Sequence, residues 1–171
     1  MIAGPTPRLQ FRPWRDDDLA FARVLFGDPR VTALVGGPFD DAQIAARLAA
    51  ELATQRDVGI AYWPIALRDR AGDDIACCGL RPRDTTSLEL GYYLRPEFWG
   101  GGYAAEATCA VAAHAFDALG VVELFAMHPP ENYGSGRVLE KAGFIYSHHE
   151  LYPPTGLMHR CYVLRKPITA R

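Results

Sequence analysis

Hydrophobic and polar residues alternate most cleanly between Ser87 and Leu94. Leu88, Leu90, Tyr92 and Leu94 fall on one face of an extended chain, and Ser87, Glu89, Gly91 and Tyr93 on the other, which predicts a strand with one buried side. Nine positions later the period changes: Tyr103 to Leu119 is rich in alanine, and Ala105, Cys109, Ala112, Phe116 and Leu119 line up at helical spacing. Gly120 offers a C-terminal stop. Upstream, Thr6 to Trp14 alternates loosely with Leu9 and Phe11 on one face, predicting a first strand. A short helix through Leu19, Ala22, Leu25 and Phe26, capped by Asp16 or Asp17, ends at Gly27-Asp28-Pro29. After a loop, Asp40 with Gln43 resembles a capping box opening a helix through Ile44, Leu48 and Leu52.

Ile60 to Leu67 and Ile75 to Leu80 read as strands around the turn 69–73, and Val121 to His128 as another. A short helix then ends at Gly143, and Phe144 to Leu151 with His159 to Leu164 make a hairpin-like pair. No linker, repeat or low-complexity stretch interrupts the pattern, so residues 1–171 are expected to form one mixed α/β domain.

Composition narrows the function. The 171 residues are 49% hydrophobic and 22% charged, with a formal net charge of -2, values of an ordinary soluble globular chain. No basic run occurs, which argues against nucleic acid as a partner. No stretch of about eighteen apolar residues is present, and the first ten residues lack the pattern of a secretory leader. A cytoplasmic protein without membrane association is expected. Cys77, Cys78, Cys109 and Cys161 contain no CxxC pair and read as reduced, mostly buried thiols, Cys109 on the buried helix stripe. His148 and His149 are adjacent and would point oppositely in a strand, so no metal site is expected; His114 reads as solvated.

The chemistry concentrates between Leu94 and Ala107. A strand runs into Trp99-Gly100-Gly101-Gly102 and at once into a helix. Glycines let backbone N–H groups approach an anion, and the unpaired N–H groups of the helix's first turn add favourable interaction with negative charge. A pyrophosphate fits this arrangement. Neither GxGxxG with its distal acid nor Gly-Lys-Ser/Thr is present, which separates the turn from dinucleotide and Walker loops.

Trp99-Gly-Gly-Gly-Tyr-Ala-Ala-Glu-Ala resembles the acetyl-CoA pyrophosphate loop of the GNAT superfamily, in the tryptophan-bearing form of its RimJ/RimL-like branch. Asn132, Ser135, Arg137 and Leu139, followed by Glu140-Lys141-Ala142-Gly143-Phe144, resemble the branch's Asn-x-x-Ser…Leu-Glu-Lys-x-Gly-Phe segment, and Thr6 to Trp14 resembles its first strand. The resemblance implies a central, mostly antiparallel twisted sheet of six to seven strands flanked by about four helices. It implies acetyl-CoA as co-substrate, with no metal. Trp99, Gly100, Gly101, Gly102, Tyr103 and Ala104 would hold the pyrophosphate, and Tyr93 and Leu94 would border the pantetheine. Asn132 and Ser135 would approach the sulfur, with Arg137 beside them. Three departures stand out: Trp99 where other branches place Gln or Arg, Leu139 where they often place the tyrosine that protonates the leaving thiolate, and Gly134 and Gly136 flanking Ser135, which make that helix start looser than usual.

A lysine-like amine, with a pKa of about 10.4, must lose a proton before attacking a thioester. Glu89 is the candidate base, its rival reading being a solvated strand glutamate; His128 is an alternative base. A backbone N–H near Leu94 is positioned to stabilise the oxyanion. Ser135 is either the proton donor to the thiolate or the cap of its helix. Gly27 to Phe39 and Glu150 to Met158 would wall the acceptor cleft, and Trp14, Tyr62, Trp63, Tyr152 and Tyr162 read as core or cleft wall. The expected function is N-acetyl transfer to a primary amine, either a protein N-terminus or a small molecule. The alternatives are a non-catalytic CoA or acyl-CoA sensor with the same fold and, resting on the glycine turn alone, a generic phosphate binder. A homodimer is expected only by analogy with the branch.

Overall fold

The computed structural model describes residues 2–70, 72–84 and 87–167. Ala71, in the expected turn 69–73, lies outside them, as do parts of the expected domain 1–171. Seven strands form one sheet: β1 (Leu9–Phe11), β2 (Tyr62–Leu67), β3 (Asp74–Pro82), β4 (Leu88–Leu94), β5 (Glu123–His128), β6 (Ile145–Tyr152) and β7 (Leu157–Arg165). Their spatial order is β1-β2-β3-β4-β5-β7-β6. Every neighbouring pair is antiparallel except β4 with β5. The five helices are α1 (Leu19–Phe26), α2 (Pro29–Thr32), α3 (Asp41–Val58), α4 (Tyr103–Asp117) and α5 (Tyr133–Lys141). This is the mixed α/β architecture that the resemblance implies.

Adjacent Cys77 and Cys78 show how the sheet divides the molecule. Cys77 faces Glu51 and Arg47 of α3, and Cys78 faces Thr108 of α4, because successive strand side chains point to opposite faces. Helix α3 starts as expected: the Asp40 carboxylate accepts from the Gln43 N–H while the Gln43 side chain accepts from the Asp40 N–H. Helix α1 starts differently. Its N-cap is Asp18, not Asp16 or Asp17, and the Asp18 side chain caps nothing. That carboxylate is engaged by the Arg12 guanidinium and the Arg15 N–H instead. The segment Gly27 to Phe39 is not simply a loop: Asp28 caps α2, Pro29 opens it, and a 3-10 turn follows at Ala33–Val35.

The stripe of α4 is also corrected. Ala107, Thr108, Val111, Ala112, Ala115 and Phe116 are its buried residues, whereas Cys109 is exposed and Leu119 lies beyond the helix. In a helix with this much alanine, size contrast is small on every face. The β-branched Val111 marks the face that meets the sheet. His114 is half-buried with its ring 5.7 Å from that of Trp63, rather than solvated.

On the other face, Glu51 is 1% exposed. Its carboxylate accepts from the Tyr62 N–H at 2.9 Å and pairs with Arg81. Removing one partner of a buried pair strands the other. Glu51→Ala is therefore expected to destabilise the chain by about 3 kcal/mol, read from the chemical denaturation midpoint at unchanged slope.

Candidate active site

The parallel pairing of β4 with β5 covers Leu88 with Leu124 and Glu89 with Phe125 and then stops. Strand β5 continues to His128 with its other edge committed to β7, and β4 continues to Leu94 paired only with β3. The two strands therefore splay, leaving the Leu90–Leu94 edge of β4 without a strand partner on the opened side. An unpaired strand edge presents N–H and C=O groups to any extended ligand that carries amides. The cleft so formed has a volume of about 800 Å³. Its lining includes Glu89, Tyr93, Leu94, Trp99, Gly100, Gly102, Tyr103, Ala104, Asn132, Ser135 and Arg137. Gly101 is brought close but does not line it.

At one end, Gly100 and Gly102 both have φ of +79°, a conformation that costs other residues energy. Gly102 is the N-cap of α4 and supplies no side-chain acceptor, so the N–H groups of the helix's first turn face the cleft end unpaired. Gly101 turns its carbonyl away, accepting from Arg8 at 2.9 Å. Arg8 also pairs with Glu106 at 2.6 Å and lies over the Tyr103 ring at 4.4 Å. Burial alone would raise the Glu106 carboxyl pKa, yet hydrogen bonds from Thr6 and Arg8 bring it below its usual value. Arg8 thus neutralises an acid one turn into α4 and holds the glycine loop in place. Binding at the coenzyme A site that the resemblance implies at this turn is expected to weaken roughly tenfold in Arg8→Ala, through one lost charge and a loosened loop, measured by calorimetric titration. Trp99 is 53% exposed, and its indole N–H donates to the Leu94 carbonyl at 2.9 Å. The tryptophan therefore fastens the loop to the end of the open strand edge.

At the other end, Glu89 is half-buried where the strands part. Burial pushes its carboxyl pKa up, opposed by Arg81 and Arg83. Those cations have partners of their own, Arg81 with Glu51 and Arg83 with Glu150. Across Gly91 stands Tyr62: a Cβ on Gly91 would fall 2.4 Å from the Tyr62 hydroxyl oxygen, so only glycine leaves room for that ring. His128 is buried, and its Nδ1 lies 2.7 Å from the Pro129 carbonyl oxygen. Burial lowers its pKa, which keeps the ring neutral.

The start of α5 sets aside the capping reading of Ser135. Asn132 is the cap, its side chain accepting from the Ser135 N–H at 3.0 Å, so the serine hydroxyl is not the capping group. The Tyr92 hydroxyl, kept protonated by burial, donates to the Ser135 carbonyl at 3.0 Å and ties α5 to the open strand. Leu139 is buried and carries no proton to give.

A family model described as acetyltransferase (GNAT) domain matches residues 8–145. The chain belongs to the GNAT acetyltransferases. YkkB of Bacillus subtilis is 32% identical to it over 146 residues, which span 83% of this chain and 84% of YkkB. A solved acetyltransferase from Agrobacterium tumefaciens is 28% identical with a TM-score of 0.83, covering 97% of this chain and 95% of that one. The fold extends to RimL, a ribosomal L7/L12 α-N-protein acetyltransferase solved with coenzyme A. There the TM-score is 0.79 at 12% identity, with 96% of this chain and 98% of that chain covered.

One cleft residue of this GNAT chain, His159, had no signal in its sequence. His159 lies on β7, 2% exposed, stacked on Tyr152 with ring centroids 4.4 Å apart. Neither of its ring nitrogens has a hydrogen-bond partner. Nothing in the local pattern singles it out, because its neighbours on the cleft wall come from distant segments. A bulge between Tyr146 and His148 in β6 brings His148, Glu150 and Cys161 together, with potential ligand atoms within 4.8 Å of one another. The Arg83 guanidinium contacts Glu150 in the same place, a cation already serving the carboxylate that a metal would need.

Proposed function

We propose that this chain is an acetyl-CoA-dependent N-acetyltransferase of the RimJ/RimL-like kind, acting in the cytoplasm on a primary amine by direct attack in a ternary complex. The observation that carries the reading is the open β4 edge, which joins the anion-suited glycine turn at one end to a half-buried carboxylate at the other. The donor set fits coenzyme A: helix and loop N–H groups for the pyrophosphate, an amide-pairing strand edge for the pantetheine. Coenzyme A bound to RimL supports the same ligand here.

Trp99, Gly100, Gly102, Tyr103 and Ala104 hold the phosphates, with Gly101 bracing the turn through Arg8. Tyr93 and Leu94 border the pantetheine, and Asn132, Ser135 and Arg137 close over it from α5. Acetyl-CoA supplies the acetyl group as a thioester, whose C–S bond breaks as the C–N bond to the acceptor forms. Glu89 takes the proton that the acceptor nitrogen gives up. Its raised proton affinity brings it nearer to that of the amine than an exposed glutamate would be. Ser135, freed from capping, donates or relays a proton to the departing sulfur. A thiol ionises at about 8.5, so this step asks for little.

The buried Leu139 favours one second reading, a GNAT fold that binds acetyl-CoA without turning it over. Calorimetric titration with acetyl-CoA, followed by thiol release with added amines, separates the readings. Binding with turnover supports the enzyme, binding without turnover for any amine supports the sensor, and absence of binding overturns both.

A further inference from the structure

We propose that the acceptor is a small primary monoamine carried on a flat apolar body, an arylalkylamine in chemical class, rather than a polycation or a polypeptide N-terminus. The inference rests on the acetyltransferase reading and deepens it.

Charge comes first. Arg81, Arg83 and Glu150 act on Glu89, and both arginines are already paired, Arg81 with Glu51 and Arg83 with Glu150. Among the described residues no hydrogen bond or ion pair engages the Glu89 carboxylate itself. One carboxylate without an ionic partner is left where the strands part, which suits one ammonium group, while the Arg47 guanidinium stacked 4.8 Å over Tyr93 disfavours any further positive charge. A polyamine or aminoglycoside would bring further charges with no unpaired carboxylate beside Glu89 to meet them, since Glu150 is taken by Arg83, at a desolvation cost that such a site cannot offset. The two buried histidines of the cleft, His128 and His159, are held neutral by burial and add no competing positive charge.

The walls come next. Tyr62 and Tyr152 flank the Glu89 end, with Leu34 and Val35 from the 3-10 turn. His159 backs Tyr152 face to face, so the tyrosine ring is stiffened from behind. Both histidine nitrogens are themselves buried, so the pair meets the cleft chiefly through the flat ring of Tyr152. Aromatic rings gain on such surfaces beyond simple area burial. The third observation is a roof. A Cβ on Gly36 would lie 3.8 Å from the Pro154 carbonyl oxygen and 3.9 Å from the Thr155 methyl group. The Gly36 loop and the β6–β7 turn therefore touch beyond Val35 and Tyr152. A polypeptide whose first residue reached Glu89 would need an open groove for the chain that follows; a small amine needs none.

The test uses the full chain, saturating acetyl-CoA and thiol release with four acceptors: 2-phenylethylamine, spermidine, kanamycin and a tetrapeptide with a free N-terminus. The expected result is a kcat/KM for 2-phenylethylamine at least tenfold above each of the others. Equal or better turnover of spermidine, kanamycin or the tetrapeptide overturns the proposal. So does absence of turnover with 2-phenylethylamine while calorimetry shows acetyl-CoA bound; without that binding, the acetyltransferase reading itself has failed. Tyr152→Ala is expected to raise KM for 2-phenylethylamine about tenfold and to leave KM for acetyl-CoA unchanged, and Tyr152→Phe to restore the natural value. An unchanged amine KM in Tyr152→Ala removes the aromatic wall from the argument and overturns the assigned class.

Discussion

Glu89→Gln is expected to lower kcat by about two to three orders of magnitude while leaving the dissociation constant of acetyl-CoA unchanged. The amide keeps the size of the side chain and removes its negative charge and its ability to accept a proton. A role confined to solvation of the strand would leave kcat intact, so that outcome would remove Glu89 from the mechanism. The pH profile adds an independent readout. Burial raises the Glu89 pKa against the pull of Arg81 and Arg83, so the acid limb of kcat/KM should lie above the ordinary glutamate value and disappear in the variant. Stability should move the other way. A group whose folded-state pKa exceeds its unfolded value contributes stability that is present below the unfolded pKa and lost as pH rises through the folded one. At neutral pH the ionised Glu89 therefore weighs against folding, and Glu89→Gln should melt at or above the natural temperature. Loss of activity with no loss of stability identifies a residue kept for chemistry.

Gly100→Asp and Gly100→Asn form the second decisive comparison. The φ of +79° at Gly100 is strained for most residues, but Asn and Asp tolerate it best, and a Cβ there meets nothing within 4 Å. Both variants should therefore fold. They differ by a single charge at the cleft end where α4 begins. At an effective dielectric between water and protein, one added charge some 6 Å from a pyrophosphate costs roughly 2 kcal/mol. Acetyl-CoA should bind Gly100→Asp about thirtyfold more weakly than Gly100→Asn, with the gap narrowing in high salt. Equal affinities in calorimetry would place the pyrophosphate elsewhere.

The features legible in the sequence were those fixed by neighbouring residues. The Asp40–Gln43 box and the glycine run before Tyr103 are local patterns with local causes and appear as expected, whereas the strand around Leu90 is half-buried on both faces and buries only Leu90 fully. What escaped depends on contacts between distant segments. Asp18 caps no helix with its side chain because Arg12, on the far side of Pro13, takes its carboxylate. Glu51 looks like one more polar residue of α3 until Arg81, thirty positions on, turns it inward. The face of α4 could not be read from alanines that differ so little in size. Gly101 belongs to the glycine run, yet its carbonyl faces Arg8 and not the cleft. Of the cleft lining, Tyr62 and Tyr152 were legible as core or cleft wall, but His159 on a third strand was not, because it joins them only through the folded sheet.

Arg8 immediately precedes the three-residue strand at the sheet's edge and touches a loop more than ninety positions away. Occupancy of the glycine turn and docking of that edge strand are therefore thermodynamically linked. A ligand present at a hundred times its dissociation constant adds about 2.7 kcal/mol to whatever structure it requires. Part of that falls on β1, an element otherwise suited to local opening. The amide hydrogens of Leu9, Gln10 and Phe11 should exchange with solvent more slowly when coenzyme A is bound, so the beginning of the chain reports on a site formed in its middle.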